Sequence, residues 1–345
     1  MNAAPNPEST TLTQISDGLA AAVEYAAQSV VAVHARPRLA STGVHWRDGL
    51  IVTAAATVRR EHGIMVTLPD GRVVPATLLG GDAAADIAVL RLDGDAAQGS
   101  SAHGGSGTGA PQTGGAESGG AENAGPSPAL FGDPTALKPG HLVLALARVD
   151  ASGPRVSFGA VSSVGGPWRS WKGGEYSRRL QSGVALHPGF GGGPLVDTSG
   201  RVLGINSGGI SRHWATTIPV ADVERVVAHV VEQGFVPRGW LGAAMQSVAV
   251  PAVARESGAS GSDMALLVVD VVAGGPAANG GLLVGDIVLA MDGMPVREPN
   301  DLLGALGTDA VGRTIGLALW RGGAAASVSV VVGQRPQGEA RSRRR

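Results

Sequence analysis

The sequence contains no cysteine, which excludes disulfide bonds, thiolate metal sites and a cysteine nucleophile. Charged residues make up 16% of the chain, against about 25% in an average soluble protein, and aromatic residues only 3%. The formal net charge of −1 argues against a protein that coats nucleic acid. No run of roughly 18 apolar residues occurs, so no membrane-spanning helix is predicted. Residues 1–16 lack Lys, Arg and an apolar stretch, so the sequence predicts no signal peptide. Either the protein stays in the cytoplasm, the default interpretation, or the start of this sequence is not the native one.

Glycine is abundant instead, with 54 residues among 345, beside 21 prolines and an apolar share of 43%. That apolar share can form buried cores, and the length fits roughly two domains. Residues 94–128 consist mostly of Gly, Ser, Ala, Thr and Gln and contain no large apolar residue. Such a segment buries too little surface to offset its ordering entropy, so we predict a flexible insert between strands.

The first unit is predicted to span residues 15–234. Residues 1–14, which include two prolines and a Ser/Thr cluster, are predicted to be a disordered lead-in. Apolar residues at helical spacing predict a helix over residues 15–28 and a closing helix over residues 219–233. Between them lie many short β-rich runs separated by turn residues, a pattern typical of a sandwich or barrel.

The second unit is predicted to span residues 239–336. It combines short β-rich runs with a helix over residues 299–306, which has Pro in its first turn and Gly307 after its end. Residues 337–345 form a basic tail, with four arginines among the last five residues.

Three segments of the first unit resemble the HtrA family of trypsin-fold serine proteases with a C-terminal PDZ domain. They are STGVHWRDGLIVT at 41–53, GGDAAADIAVL at 80–90 and LHPGFGGGPLVD at 186–197. With the second unit, the resemblance covers about residues 25–336. It implies a mainly β fold, in which a chymotrypsin-like double β-barrel is followed by a PDZ domain. The Gly/Ser-rich insert is not typical of the family.

The resemblance also implies where the family's catalytic groups fall. The Asp position is Asp86, but the His position is Ala56 and the Ser position is Gly191. A serine protease needs the serine oxygen as nucleophile and the histidine as base, and losing either costs about 10⁶ in turnover in a well-studied case. The backbone N–H groups of Gly189 and Gly191 match the family's oxyanion hole, which needs no side chain. We therefore predict a catalytically inactive homologue.

An active serine endopeptidase of this family with displaced catalytic groups is the alternative. Thr57 is adjacent to Ala56, and His187 lies four residues before Gly191, where it is the best replacement base. No serine occurs between positions 183 and 198, so His187 has none beside it to activate. Phe190 is expected to fill the space left by the missing side chains. Without a histidine, Asp86 would instead accept hydrogen bonds from the backbone of a turn.

The second unit resembles a PDZ domain of the HtrA type. RGWLGA at 238–243 is similar to the carboxylate-binding turn, and GPAANGGL at 275–282 and GDIVLAMDG at 285–293 to the domain core. The resemblance implies that an extended peptide adds a strand beside residues 243–247, with its C-terminal carboxylate bound by the turn. The residues implied in peptide binding are Trp240, Leu241, Gly242, Ala243 and Leu303.

The sequence indicates no cofactor. It has no metal-ligand cluster, and its Gly-rich stretches lack the strand–helix context of a dinucleotide site. The predicted partners are peptide or protein C termini, with a scaffold, chaperone-like or regulatory role, and no nucleic acid. The resemblance implies a homo-oligomer, since the family forms trimers through its N-terminal segment, although Tyr25 is the only aromatic residue within 1–30 here.

Overall fold

The computed structural model describes five stretches of the chain, residues 7–94, 126–170, 173–210, 216–256 and 262–334. They belong to two units that divide between Phe235 and Val236. Most of the predicted flexible insert at 94–128 and the basic tail at 337–345 lie outside the described residues.

The first helix, α1, spans Pro7–Ala27. It begins within the segment 1–14 that the sequence predicts to be disordered, so residues 7–14 are helical instead. Pro7 suits the first turn of a helix, because its fixed φ is helical and its missing N–H needs no partner there. The Ser/Thr-rich composition concealed this signal.

The first barrel is closed and has the strand order β1-β2-β3-β6-β5-β4. Its strands are β1 Val30–His34, β2 Ser41–Arg47, β3 Leu50–Thr53, β4 Ile64–Thr67, β5 Val73–Asp82 and β6 Ile87–Leu92. All neighbouring strands pair antiparallel. The β-branched and leucine residues of these strands fill the interior, including Val31, Val33, Ile51, Ile64 and Leu90.

The second barrel is also closed, with the strand order β11-β14-β13-β12-β7-β8. Its strands are β7 Leu142–Ala147, β8 Arg155–Gly165, β11 Arg179–Ser182, β12 Pro194–Val196, β13 Val202–Ser207 and β14 Thr216–Pro219. Between β8 and β11 a short hairpin is formed by β9 Trp168–Arg169 and β10 Glu175–Tyr176. The helix α2, Val220–Gln233, follows and buries valines at helical spacing, Val223, Val226, Val227 and Val230.

The second unit contains a sheet in the order β16-β17-β18-β20-β21, so β16 is an edge strand. Its elements are β15 Gly239–Trp240, β16 Ala243–Ala249, α3 Ala252–Glu256, β17 Met264–Val271, α4 Pro276–Asn279, β18 Ile287–Met291, β19 Met294–Pro295, α5 Pro299–Ala305, β20 Thr314–Arg321, β21 Ala324–Val331 and β22 Gly333–Gln334. Its core is built mainly from leucines and valines of the sheet and from Leu302 and Leu306.

The prediction of a mainly β chain with a chymotrypsin-like double barrel followed by a PDZ domain is confirmed by this topology. Among the helices that the structure describes, none is both long enough and apolar enough to cross a membrane.

Candidate functional site

A cleft of about 430 Å³ in the first unit is lined by residues of both barrels. The structure brings four of the residues singled out in the sequence to its wall together with the two oxyanion-hole candidates. The lining residues that carry the argument are Ala56, Thr57, Asp86, His187, Gly189 and Gly191.

Asp86 is almost fully buried at the floor of this cleft, with 1% of its surface exposed. Its Oδ1 accepts a hydrogen bond from the backbone N–H of Ala56 at 2.7 Å. Its Oδ2 accepts a short hydrogen bond from the Ser207 hydroxyl. Both carboxylate oxygens are therefore engaged by groups other than an imidazole.

The loop before Asp86 is fixed from two sides. Asp82 Oδ1 accepts the N–H groups of Ala84 and Ala85 at 2.9 and 3.2 Å, which closes a tight turn. The Tyr176 hydroxyl of the β9–β10 hairpin donates to the Ala84 carbonyl at 3.2 Å. Asp86 itself has a positive φ of 57°, a conformation that Asp tolerates better than most residues.

The loop that carries Gly191 is tied to the first barrel through Thr42. The Thr42 hydroxyl donates to the Gly189 carbonyl at 2.7 Å, and the Thr42 N–H donates to the Gly191 carbonyl at 3.3 Å. Behind the loop, the N–H of Gly192 donates to the Asn206 carbonyl at 2.9 Å. These bonds give the Gly-rich loop a fixed backbone.

Gly191 and Gly192 differ in what their surroundings allow. Gly192 has φ +86°, and a Cβ there would lie 2.3 Å from the Thr42 carbonyl oxygen, so only glycine fits. A Cβ at Gly191 would meet nothing closer than the Thr57 Cγ2 at 3.4 Å, which is ordinary contact. The backbone at 191 therefore accommodates a side chain that the sequence does not supply.

The N–H groups of Gly189 and Gly191 are available for a ligand. Within the described part of the chain, neither N–H donates a hydrogen bond, although the carbonyls of both residues accept one from Thr42. Two unoccupied N–H donors beside an open cleft can bind a carbonyl or carboxylate oxygen.

The replacement groups considered in the sequence are engaged elsewhere. The Thr57 hydroxyl donates to the Ala54 carbonyl at 2.7 Å. The His187 ring meets the edge of Phe190, with the ring centroids 5.8 Å apart. Phe190 does not fill the cleft as expected, because its ring is buried in the core of the second barrel. An apolar ring gains more from that core than from a half-open cleft.

The turn between β15 and β16 has the features of a carboxylate-binding loop. The carbonyls of Leu241 and Gly242 each accept a backbone hydrogen bond at 2.7 Å, from Ala277 and Val272. Among the described residues, the N–H groups of Leu241 and Gly242 have no acceptor. Gly242 has φ +73°, and a Cβ there would lie 3.1 Å from the Trp240 ring.

The edge strand β16 and the helix α5 lie side by side in the second unit. Ala243 and Met245 of β16 are partly buried against the core, which Leu302 and Leu306 close. The side chain of Leu303 lies outside the described ones. An open strand edge beside a helix is the arrangement in which an added peptide strand can bind.

Three contributors to the cleft were missed in the sequence. Ser207 directly follows the segment VLGIN at 202–206, and this position is the signal that could have identified it. Its hydroxyl donates a hydrogen bond to the buried Asp86 carboxylate. Thr42 and Tyr176 act across large separations in sequence, for which the chain alone carries no local signal.

Comparison with protein families assigns both units. Residues 41–205 match a model described as a trypsin-like peptidase domain, and residues 239–332 match a PDZ domain.

Comparison with curated proteins gives relatives named "Probable periplasmic serine endoprotease DegP-like". The one from Brucella suis biovar 1 is 30% identical over 321 residues, which cover 90% of this chain and 55% of the relative. The one from Halomonas elongata is 31% identical over 312 residues, covering 88% of this chain and 58% of the relative. The chain thus spans about half the length of the curated relatives that it matches.

Comparison with solved structures gives similar folds over nearly the whole chain. The structure titled "HtrA-type protease AlgW with decapeptide" is 25% identical and covers 92% of this chain and 99% of its own, with a TM-score of 0.65. The serine endoprotease from Yersinia pestis is also 25% identical and covers 92% of this chain and 98% of its own, with a TM-score of 0.63.

Proposed function

The chain belongs to the HtrA family of trypsin-fold proteins with a C-terminal PDZ domain, and we propose that it is a non-cleaving member that binds peptide C termini. One observation carries the proposal: the wall of the cleft that contains the buried Asp86 presents Ala56 and Gly191 at the positions of the base and the nucleophile. A methyl group cannot accept a proton, and a glycine offers no oxygen for attack.

The hydrogen bonds in the cleft support the same conclusion. The Ser207 hydroxyl is engaged by Asp86, and the Thr57 hydroxyl by a backbone carbonyl. Neither is bonded to an imidazole within the described part of the chain. An imidazole–hydroxyl pair does exist in the first barrel, where His34 Nε2 and Thr67 Oγ1 lie 2.8 Å apart, but neither residue lines the cleft.

Peptide binding is proposed for the PDZ domain. The N–H groups of Leu241 and Gly242 would donate hydrogen bonds to the terminal carboxylate, and the open edge of β16 would pair with the peptide backbone. The role that follows is a scaffold, a chaperone-like holder or a regulatory subunit, acting on proteins with accessible C termini.

The active alternative rests on the names of the relatives, which are called serine endoproteases. It would require His187 to turn from Phe190 towards a hydroxyl in the cleft.

Hydrolysis of casein tests the proposal, with the Ala56→His/Gly191→Ser variant as the positive control. We expect the natural chain to leave casein intact over hours while the variant cleaves it. Cleavage by the natural chain that a serine-protease inhibitor abolishes would contradict the proposal.

A further inference from the structure

A cluster of arginines stands at the rim of the cleft. Residues 34–38 have the sequence HARPR, and residues 58–62 have the sequence VRREH. Together they contain four arginines and a single carboxylate, that of Glu61. The arginines, here called the rim arginines, are Arg36, Arg38, Arg59 and Arg60.

Backbone hydrogen bonds bring the two segments together. The Ala35 carbonyl accepts the N–H groups of Arg59 and Arg60 at 2.8 and 3.0 Å. Both segments continue directly into the cleft wall, since Arg36 and Leu39 line it on one side and Thr57 on the other. Arg36 thus lies in the cleft wall, and the backbone of Arg59 and Arg60 is held at Ala35, next to Arg36 in the chain.

Among the described residues, the rim arginines lack acidic partners. No carboxylate of the described residues lies within 4.0 Å of any of the four guanidinium groups. Arg36 donates to the backbone carbonyls of Leu39 and Ala40, at 2.8 and 3.4 Å. Arg38, Arg59 and Arg60 are exposed. Several other arginines of the chain are paired with carboxylates, so this local excess of positive charge is not a property of the chain as a whole.

The cleft itself offers hydrogen bonds and an apolar contact. The unoccupied N–H groups of Gly189 and Gly191 suit a peptide carbonyl, and the Leu39 side chain is 39% exposed at the wall. Because Gly191 has no side chain, a ligand backbone can approach the floor closely.

We propose that the vacant cleft and the rim arginines form a second peptide site, which holds an extended segment rich in Asp and Glu without cutting it. A backbone carbonyl of the segment binds the N–H groups of Gly189 and Gly191, and its acidic side chains pair with the rim arginines. This inference rests on the proposed function, because a cleft that cleaved the segment would release it.

The favoured ligand is a peptide and not a nucleic acid. The net charge of the chain is −1, which argues against a surface built to follow a phosphate backbone. The paired N–H donors and the exposed leucine match a peptide carbonyl and an apolar side chain.

Fluorescence anisotropy on the full chain tests the proposal with a labelled 12-residue peptide of alternating Glu and Ala. Its C terminus is amidated, so that the PDZ domain has no carboxylate to bind. We expect it to bind about tenfold more tightly than the same peptide with Gln for Glu, the effect of a few exposed ion pairs, and the difference to shrink at 0.5 M salt.

Two variants locate the site. Arg59→Glu/Arg60→Glu is expected to abolish the preference for Glu, whereas the matched reversal Arg91→Glu/Arg201→Glu, at exposed arginines away from the rim, is expected to keep it. Gly191→Leu is expected to weaken binding of both peptides, because its side chain enters the cleft.

Equal affinities for the Glu and Gln peptides would overturn the proposal, as would equal losses in the two arginine variants. Tighter binding of an oligonucleotide of similar charge would overturn it in favour of a nucleic-acid surface. Mass spectrometry of the recovered peptide keeps the two claims separate. A cut peptide contradicts the proposed function, while the arginine variants alone decide the second site.

Discussion

The Oδ1 atom of Asp86 lies 2.7 Å from the backbone nitrogen of Ala56 and accepts the hydrogen bond that this N–H donates. With Ser207 bonded to the other oxygen, the carboxylate stays ordered although position 56 has no imidazole. In this chain Asp86 therefore holds the cleft wall together.

Substitution of Asp86 should affect stability and leave peptide binding by the PDZ domain unchanged. Asp86→Asn keeps one acceptor and tolerates the positive φ, so we expect a loss of about 1 kcal/mol. Asp86→Ala leaves the Ala56 N–H without its acceptor and puts an alanine at a positive φ, and we expect a loss of about 3 kcal/mol. Urea unfolding of both variants measures the difference, and equal losses would rule out this role of the carboxylate.

Neighbouring glycines of the loop should respond in opposite ways to alanine. Gly191→Ala should change the free energy of unfolding by less than about 1 kcal/mol, because its Cβ has room. Gly192→Ala should cost about 3 kcal/mol or more, because its Cβ would lie 2.3 Å from the Thr42 carbonyl oxygen. Thermal unfolding of the two variants checks this, and a similar cost at both positions would show that the loop is not held as described.

His45 should make the first barrel sensitive to acid. Burial lowers the pKa of His45 more than the carbonyls of Pro126 and Ser127 and the Asp48 carboxylate raise it. Its Nε2 accepts the N–H of Gly49 at 3.2 Å, which protonation would prevent. As the pH falls, His45 takes up a proton in the unfolded chain at a higher pH than in the folded chain, which favours unfolding. The free energy of unfolding should therefore be constant above pH 6.5, the ordinary pKa of histidine, and fall as the pH drops from there towards the lower pKa of the folded state.

The variant His45→Gln keeps an acceptor and does not titrate. Unfolding of both proteins between pH 8 and pH 5 is the measurement, and the variant should lose less stability on acidification. A parallel decline in the two proteins would assign the acid sensitivity to other groups.

The PDZ turn should require a free carboxylate on the peptide. Amidation of a peptide C terminus should weaken binding at least about tenfold, because the N–H groups of Leu241 and Gly242 lose a charged acceptor. Gly242→Glu should abolish binding. The matched control is Gly323→Glu, since Gly323 also has a positive φ and a Cβ there meets nothing within 4 Å. Calorimetric titration checks both, and equal effects of the two substitutions would exclude the turn as the site.

The fold was predicted from a family resemblance carried by short motifs. The GDAAAD and PGFGGGP segments resemble the family's catalytic segments, and that resemblance, not composition or periodicity, predicted the roles of Asp86, Gly189 and Gly191. Alternating and valine-rich runs then set the strands of both barrels.

Contacts between distant segments could not be predicted in the same way. Thr42 holds Gly189, 147 residues further along the chain, and no local pattern indicates that bond. The approach of Arg59 and Arg60 to Ala35 likewise depends on barrel closure. Phe190 was predicted to fill the cleft but is buried in the core of the second barrel. The sequence does not show whether a side chain of this loop points towards the cleft or towards the core.

Labelling of the natural chain by a fluorophosphonate, followed by intact-mass spectrometry, tests the central claim most directly. The reagent reacts with an activated serine, and the Ala56→His/Gly191→Ser variant is its positive control. We predict an unchanged mass for the natural chain and one added phosphonyl group for the variant, because the backbone at Gly191 accommodates a side chain. A natural chain that gains the phosphonyl group, with labelling that denaturation abolishes, would contradict the account.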